Sequence, residues 1–346
     1  MAPEPRLLAL KTTVPPHVLE QQVVADIART LFGGKTDIER MLPVFSNSGI
    51  ERRYSCVPPD WYLTDHGWKD RNTIFIENAV TLLEKVAQAC LNEAGLAPDD
   101  IDAVVSVSTT GIATPSLDAL IAQRMNLRRD ITRLPIFGLG CAGGVLGLAR
   151  AGTLAKVSPG TKVLFLCVEL CALTFRKDDV SKSNIVATAL FGDGAAGAIV
   201  STEGEGPRLG PSGEHRWPDS LGIMGWDIEE DGFKAIFSKN IPALVEEDFE
   251  SILTDFLKRN NLALSDIDGF ACHPGGAKVL SALERALRLE DGGLTDSREI
   301  LRQYGNMSAV TVLFVLERMR VREKRQRTLL STLGPGFTAA FMTLEG

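Results

Sequence analysis

Asp100-Ile101-Asp102-Ala103-Val104-Val105-Ser106-Val107-Ser108 and Asp266-Ile267-Asp268-Gly269-Phe270-Ala271-Cys272-His273 each open on Asp-Ile-Asp and continue as an apolar strand. The two stretches lie 166 positions apart (266 minus 100), and the same offset relates their surroundings. Leu83, Val86, Ala87, Cys90 and Leu91 form the apolar stripe of a helix before the first copy. Moved by the offset, they fall on Phe249, Ile252, Leu253, Phe256 and Leu257, a stripe of the same phase. Beyond the strand, Gly140-Cys141-Ala142-Gly143 falls on Asn306-Met307-Ser308-Ala309, and both precede an apolar helix, ending near Arg150 and Arg320. Val163-Leu164-Phe165-Leu166 then falls on Leu329-Leu330-Ser331-Thr332, so both copies continue into a strand. Each half reads helix, strand, helix, strand, which predicts a mostly parallel sheet covered by helices on both sides. Two such halves about a pseudo-twofold axis make a layered α/β/α/β/α core in which the two central helices face each other. The division places a nucleophilic cysteine in residues 1–200, and a histidine and an asparagine in residues 201–346.

The composition narrows the function classes. Apolar residues make up 45% of the 346-residue chain and charged residues 23%, the values of an ordinary globular protein. A net charge of −7 argues against a general affinity for nucleic acid. No uninterrupted apolar run approaches the roughly 18 residues that cross a bilayer. The N-terminus lacks the charged-then-apolar layout of a secretion signal, so the expected location is the cytoplasm. Six cysteines (Cys56, Cys90, Cys141, Cys167, Cys171, Cys272) are then expected as free thiols, each core filler or chemistry. Cys167 and Cys171 have no second ligand pair at zinc-site spacing, so no metal is expected.

Equivalent strand-to-helix corners of the two halves meet at one place. They carry Cys141 in the first half, and His273 and Asn306 in the second. Cys141 sits in Leu139-Gly140-Cys141-Ala142-Gly143-Gly144 at a helix start, where unpaired amides and the helix dipole favour thiolate over thiol; a small cysteine in a glycine-rich packing corner is the plainer alternative. His273 ends a strand, where α/β sheets build their active sites, and is a natural imidazolium partner for a thiolate. Asn306 is either a helix N-cap or an amide donor that works with His273 to hold a carbonyl or enolate oxygen. Such a set suits acyl transfer: the cysteine takes an acyl group as a thioester, and the other two stabilise the carbanion equivalent left by decarboxylation of a second thioester.

Three motifs resemble those of the chalcone synthase family, the type III polyketide synthases: Gly140-Cys141-Ala142-Gly143-Gly144, His273-Pro274-Gly275-Gly276 and Gly305-Asn306-Met307-Ser308-Ala309. Leu190-Phe191-Gly192-Asp193-Gly194-Ala195-Ala196 and Gly334-Pro335-Gly336-Phe337 agree as well. The resemblance implies a thiolase-like duplicated five-layer fold and a homodimer. It makes Cys141 the acyl carrier and assigns His273 and Asn306 to decarboxylation of malonyl-CoA. It makes Phe191 and Phe233 gatekeepers between the CoA tunnel and the cavity, and Gly334, Pro335 and Gly336 the wall behind the cysteine. Cys171 and Thr174 match the segment that sets cavity volume, and Thr114 stands where plant members place a methionine that reaches into the partner's cavity. The chain departs from the plant pattern before Gly49, where it retains a single base. Arg40 and Lys278 are the candidates for the CoA phosphates, and the basic run from Arg318 to Arg327 reads as a solvated face.

The segment from Cys171 to Asn184 resembles bacterial members that make alkylpyrones or alkylresorcinols from fatty acyl starters and malonyl units. Small residues at Cys171, Thr174 and Thr114 suit a long apolar chain, whose burial contributes about 0.8 kcal/mol per methylene. The resemblance implies acyl-CoA and malonyl-CoA as substrates and no cofactor beyond these thioesters, with an acyl carrier protein or fatty-acid synthase as a further source of starter. Three alternatives stay open. A β-ketoacyl-carrier-protein synthase of the initiating type shares the residue set and stops after one condensation. A degradative thiolase expects a late second cysteine where this chain has Gly334-Pro335-Gly336. A non-catalytic acyl-binding relic would keep the cavity and lose turnover.

Overall fold

The computed structural model describes residues 3–322 and 325–346. The first half comprises β1 (Arg6–Thr13), β2 (His17–Glu20), α1 (Gln21–Phe32), α2 (Pro43–Ser46), β3 (Arg52–Ser55), α3 (Trp68–Ala94), β4 (Ala103–Val107), α4 (Leu117–Arg124), β5 (Thr132–Ile136), α5 (Gly143–Ala155), β6 (Val163–Leu170), α6 (Lys182–Leu190) and β7 (Asp193–Ser201). The second comprises β8 (Arg208–Arg216), β9 (Met224–Glu229), β10 (Gly232–Phe237), α7 (Ile241–Arg259), β11 (Gly269–Cys272), α8 (Ala277–Ala286), α9 (Thr295–Tyr304), α10 (Thr311–Arg322), β12 (Arg327–Gly334) and β13 (Thr338–Glu345).

The repeated tripeptide does the same work twice. Asp100 accepts the Ala97 N–H at 2.7 Å and Asp266 the Ala263 N–H at 2.8 Å, each closing a short turn before its strand. The second aspartates tie that strand to its neighbour: Asp102 accepts the Lys162 N–H at 2.9 Å, and Asp268 the Arg327 N–H at 2.8 Å. Both predicted stripes, on α3 and α7, are buried.

The strand order β11-β12-β13-β8-β1-β7-β6-β4-β5 is pseudo-symmetric about β8 and β1, which join the two halves through the single register pair Arg6–Arg208. The expectation of a mostly parallel sheet is corrected. β4 pairs in parallel with β5 and β6, and β11 with β12, but the other junctions of the sheet are antiparallel. The antiparallel strands β1, β7, β8 and β13 lie outside the repeated windows, and hairpin returns such as that at Pro335-Gly336-Phe337 reverse the chain.

Burial divides into the expected layers. α3 covers one face of the first half, and its core includes Leu83, Val86 and Leu91. α7 and α8 cover the second half; Phe249 and Phe256 place their rings 5.6 and 5.3 Å from that of Phe341 on β13. Between the halves lie α5 and α10, sharing one core with strands of both. A Cβ on Gly144 would lie 2.2 Å from the Ala309 carbonyl oxygen, a measure of how closely this middle layer packs.

The basic run lies largely at the surface and makes ion pairs there. Arg318 and Arg322 pair with Asp296, Arg327 pairs with Glu345, and Arg325 donates to the Asp268 carbonyl. Residues 323–324 of the run lie outside the described residues, as do residues 1–2 of the N-terminal stretch. No described helix is long and apolar enough to cross a membrane.

Candidate active site

Cys141 occupies a short helical turn, Gly140–Ala142, that leads straight into α5. Gly140 supplies the left-handed φ of +47° that this entry requires. No side chain fits there, since a Cβ would come 2.5 Å from the Pro335 ring. Behind the turn, a Cβ on Gly334 would lie 2.6 Å from that of Ala142. The segment Gly334, Pro335, Gly336 thus braces the cysteine from behind without lining the cavity in front of it.

His273 follows β11, held by its N–H to the Ser331 carbonyl at 2.8 Å, and neither ring nitrogen has a protein partner. The Asn306 side chain lies at the turn before α10 and bonds main chain through both of its ends. Its Oδ1 accepts the Ser308 N–H at 2.9 Å, as a cap does, and its Nδ2 remains a donor, 3.3 Å from the Gly275 carbonyl. Cys141, His273 and Asn306 are all less than a tenth exposed and line one cavity of about 530 Å³.

Burial governs the titration of this pair. It pushes the Cys141 thiol up to about 12 and the His273 imidazole down to about 3, favouring the neutral form of each. The sequence expectation of a lowered thiol is thereby reversed for the cysteine alone, because desolvation outweighs the helix start and the hydrogen bond to Ser308. A thiolate–imidazolium pair offsets both penalties at once, since each charge solvates the other.

Ser308 also bears on Glu169, whose fully buried carboxyl burial raises to about 7. Glu169 Oε2 accepts the Thr109 N–H at 2.9 Å and the Thr110 hydroxyl at 2.8 Å, while Oε1 has no partner. The Thr109 hydroxyl in turn accepts the Gly140 N–H at 3.1 Å. Glu169 and Ser308 were not singled out by the sequence reading, although Ser308 stands inside one of its quoted motifs.

The remaining candidates divide. Arg40 and Lys278 reach the cavity wall, and Lys182 and Lys239, which sequence reasoning passed over, join them. All four are exposed at the mouth, and Arg40 lies 3.9 Å from Asp37. Phe191, Cys171 and Thr174 line a separate inner pocket of about 40 Å³. Phe191 packs at 5.5 Å between centroids on Phe237, which itself lines the large cavity. Phe233 does not reach that cavity: its ring packs on Trp68, Phe137 and Trp226, and Phe237, four residues along the same strand, lines the wall instead. Thr114 is exposed and lies on neither space within the single chain. All six cysteines are buried and unpaired.

A thiolase-like duplicated fold that brings cysteine, histidine and asparagine to one cavity defines an acyl-condensing enzyme. The N-terminal domain of the chalcone and stilbene synthases matches residues 2–204, and their C-terminal domain residues 212–345. The chain therefore belongs to the chalcone and stilbene synthase family, the type III polyketide synthases, and is an acyltransferase. It is 36% identical over 351 residues to a 1,3,6,8-tetrahydroxynaphthalene synthase of Streptomyces peucetius subsp. caesius, covering 97% of this chain and 92% of that protein. An alpha-pyrone synthesis polyketide synthase-like Pks18 of Mycobacterium tuberculosis is 29% identical over 356 residues, 97% of this chain and 90% of that one. The crystal structure of 1,3,6,8-tetrahydroxynaphthalene synthase from Streptomyces coelicolor A3(2), a bacterial type III polyketide synthase, superposes with a TM-score of 0.94 at 29% identity, over 98% of this chain and 99% of that one.

Proposed function

We propose that Cys141 carries an acyl starter as a thioester while His273 and Asn306 drive decarboxylation of malonyl-CoA beside it. Malonyl-CoA loses carbon dioxide, and the electron pair left behind is held as an enolate by hydrogen bonds from the His273 ring and Asn306 Nδ2 to the thioester oxygen. The enolate carbon attacks the acyl-cysteine, the carbon–carbon bond forms, and the Cys141 thiolate leaves. The lengthened chain returns to Cys141 with release of CoA, and repeated rounds end in ring closure. Carrying this reading is the convergence of the three side chains, two from one half and one from the other, on a single buried wall.

The four cations at the mouth suit CoA phosphates, with CoA thioesters as the sole small-molecule requirement. Apolar residues such as Val186, Leu190, Met224, Phe237 and Leu333 make up much of the cavity wall. They favour a long fatty acyl starter and an alkylpyrone or alkylresorcinol product, and the M. tuberculosis relative named for alpha-pyrone synthesis supports that choice. The working unit is a cytoplasmic homodimer in which Thr114 faces the partner, Phe191 gates the cavity, and residues 1–200 and 201–346 form the two halves. A carrier protein or fatty-acid synthase is a further source of starter.

Incubation with malonyl-CoA and acyl-CoAs of graded length, followed by mass spectrometry, tests the reading. Products from fatty starters carrying more than one malonyl-derived unit are expected, and Cys141→Ala forms none. Turnover of short or aromatic starters alone would overturn the fatty-acyl assignment. A single condensation would place the chain with the initiating synthases, and no turnover with the relic.

A further inference from the structure

Asn306 belongs to the second half and Phe191 to the first, yet their main chains are joined. The Asn306 N–H donates to the Leu190 carbonyl at 2.8 Å, and the Gly192 N–H donates to the Asn306 carbonyl at 3.0 Å. On each strand of this junction a glycine faces the same side chain. A Cβ on Gly192 would lie 3.1 Å from Arg53 Cβ; one on Gly305 would lie 3.4 Å from Arg53 Cβ and 3.5 Å from its Cδ. Arg53, on β3, is 1% exposed and heads the largest fully buried side chains.

Hydrogen bonding by the guanidinium does not account for that placement. Nη1 and Nη2 have no partner. The carboxylate whose charge it feels, Asp193, turns its oxygens to the Cys56 and Ala172 N–H groups instead. Burying such a head is costly, and burial lowers its pKa to about 10. The aliphatic stem lies beside two glycines, where an added Cβ would also come 2.6 Å from the Tyr304 carbonyl oxygen at Gly192 and 2.7 Å from that of Leu190 at Gly305. The strand carrying it is anchored to the second half as well, by the Glu51 N–H to the Arg302 carbonyl at 2.8 Å and by the Glu51–Arg302 ion pair.

We propose that Arg53 is a positioning residue for the condensation, its stem the spacer against which the segments 190–192 and 305–306 rest, so that it sets Asn306 Nδ2 relative to Cys141. The inference rests on the assignment of Asn306 to malonyl decarboxylation made above. It differs from a general packing role because Cys141 stands on another element, the turn before α5, braced by Pro335 and Gly334. Removing the stem should therefore disturb decarboxylation and spare loading of the cysteine.

The test compares Arg53→Met, which keeps the stem without the charge, with Arg53→Ala, which removes both. Two rates are followed: loading of Cys141 from a fatty acyl-CoA, by intact-protein mass, and decarboxylation of malonyl-CoA at saturation. Arg53→Ala is expected to decarboxylate at least ten-fold more slowly than Arg53→Met, with KM for malonyl-CoA and the loading rate within three-fold between the two. Should Arg53→Ala not fold, Arg53→Val, with a shortened stem, takes its place in the same comparison. Equal decarboxylation by the two variants would overturn the inference, as would parallel loss of loading and decarboxylation. Failure of the unsubstituted enzyme to load Cys141 would overturn the functional reading and this inference with it; normal loading with equal decarboxylation by the two variants overturns this inference alone.

Discussion

Cys141 and His273 are each driven neutral by the same cause, loss of water, and each is the other's remedy. In the proposed mechanism an ion pair between them forms only as a unit, so removing the imidazole leaves the thiol to burial alone. The pH dependence of iodoacetamide alkylation at Cys141 should show thiolate appearing at least one pH unit higher in His273→Gln than in the unsubstituted enzyme; coincident profiles would mean that the ring does not share the proton. Glu169 offers a second titration, of opposite consequence to the usual surface carboxylate. Its folded-state pKa is raised from 4.5 to about 7, so above pH 4.5 the unfolded chain releases a proton that the folded chain retains. Its contribution is full below 4.5 and is lost as pH rises to about 7, by at most about 3 kcal/mol. Asp193 behaves likewise, raised to about 7, whereas His273, lowered to about 3, adds stability as pH rises from 3 to 6.5. The difference between Glu169→Gln and the unsubstituted protein isolates one term: denaturant unfolding across pH 4.5 to 7 should show a shallower decline in the variant, and parallel curves would contradict the assignment.

Among the elements, α5 shows how close approach outranks propensity. Alanine is favoured over glycine by about 1 kcal/mol in a helix interior. At Gly144 the new Cβ would meet the Ala309 carbonyl oxygen at 2.2 Å, main chain that cannot step aside. Overpacking of that kind costs about 3 kcal/mol, so Gly144→Ala should lower the Tm by several degrees. At Gly152, in the same helix, the first neighbour is the Leu209 side chain at 3.2 Å, which can rotate, and Gly152→Ala should leave the Tm unchanged or raise it. Equal thermal scans for the two variants would refute the distinction. The elements also show what a sequence discloses. The stripes on α3 and α7 and the Asp-Ile-Asp turns are local patterns, closed by side chains three residues away, and were readable. The antiparallel placing of β1, β7, β8 and β13 depends on partners far along the chain, and no local period carries it. Phe233 and Phe237 illustrate the same limit within one strand. Residues four apart share a face, so the pattern marks both as inward, but they stand about 13 Å apart along the sheet, and only the fold says which meets the cavity. Cys141, His273 and Asn306 were legible because glycines and prolines mark their corners; Lys182 and Lys239 were not, because they come from elements that meet only at the mouth.

At the scale of the whole molecule, charge is distributed against its total. The chain carries a net −7, yet Arg40, Lys182, Lys239 and Lys278 gather at the opening of the large cavity. Lys182, Lys239 and Lys278 make no ion pair among the described residues, unlike Lys35, which binds Asp178 at 2.8 Å, or Lys234, which binds Glu229 at 2.9 Å. Unpaired cations on an acidic surface focus the field on one entrance and raise the arrival rate of a polyanion such as a CoA thioester. Their attraction is screened over about 8 Å at physiological ionic strength, so the effect should fade with salt. Replacing Lys182, Lys239 and Lys278 together by alanine should raise KM for malonyl-CoA about ten-fold or more, an effect of the size that long-range steering produces. The turnover number should hold, since none of the three touches the reacting carbons. Two controls make the prediction specific. The ratio of KM values between variant and unsubstituted enzyme should shrink as sodium chloride rises from 0.05 to about 0.5 M, where the screening length falls several-fold. An N-acetylcysteamine thioester, which has the reactive sulfur and no phosphate, should give the same KM with both proteins. A KM for malonyl-CoA that the triple substitution leaves in place would move the phosphate contacts elsewhere, and a matching rise for the phosphate-free thioester would show that the lysines shape the cavity rather than charge its mouth.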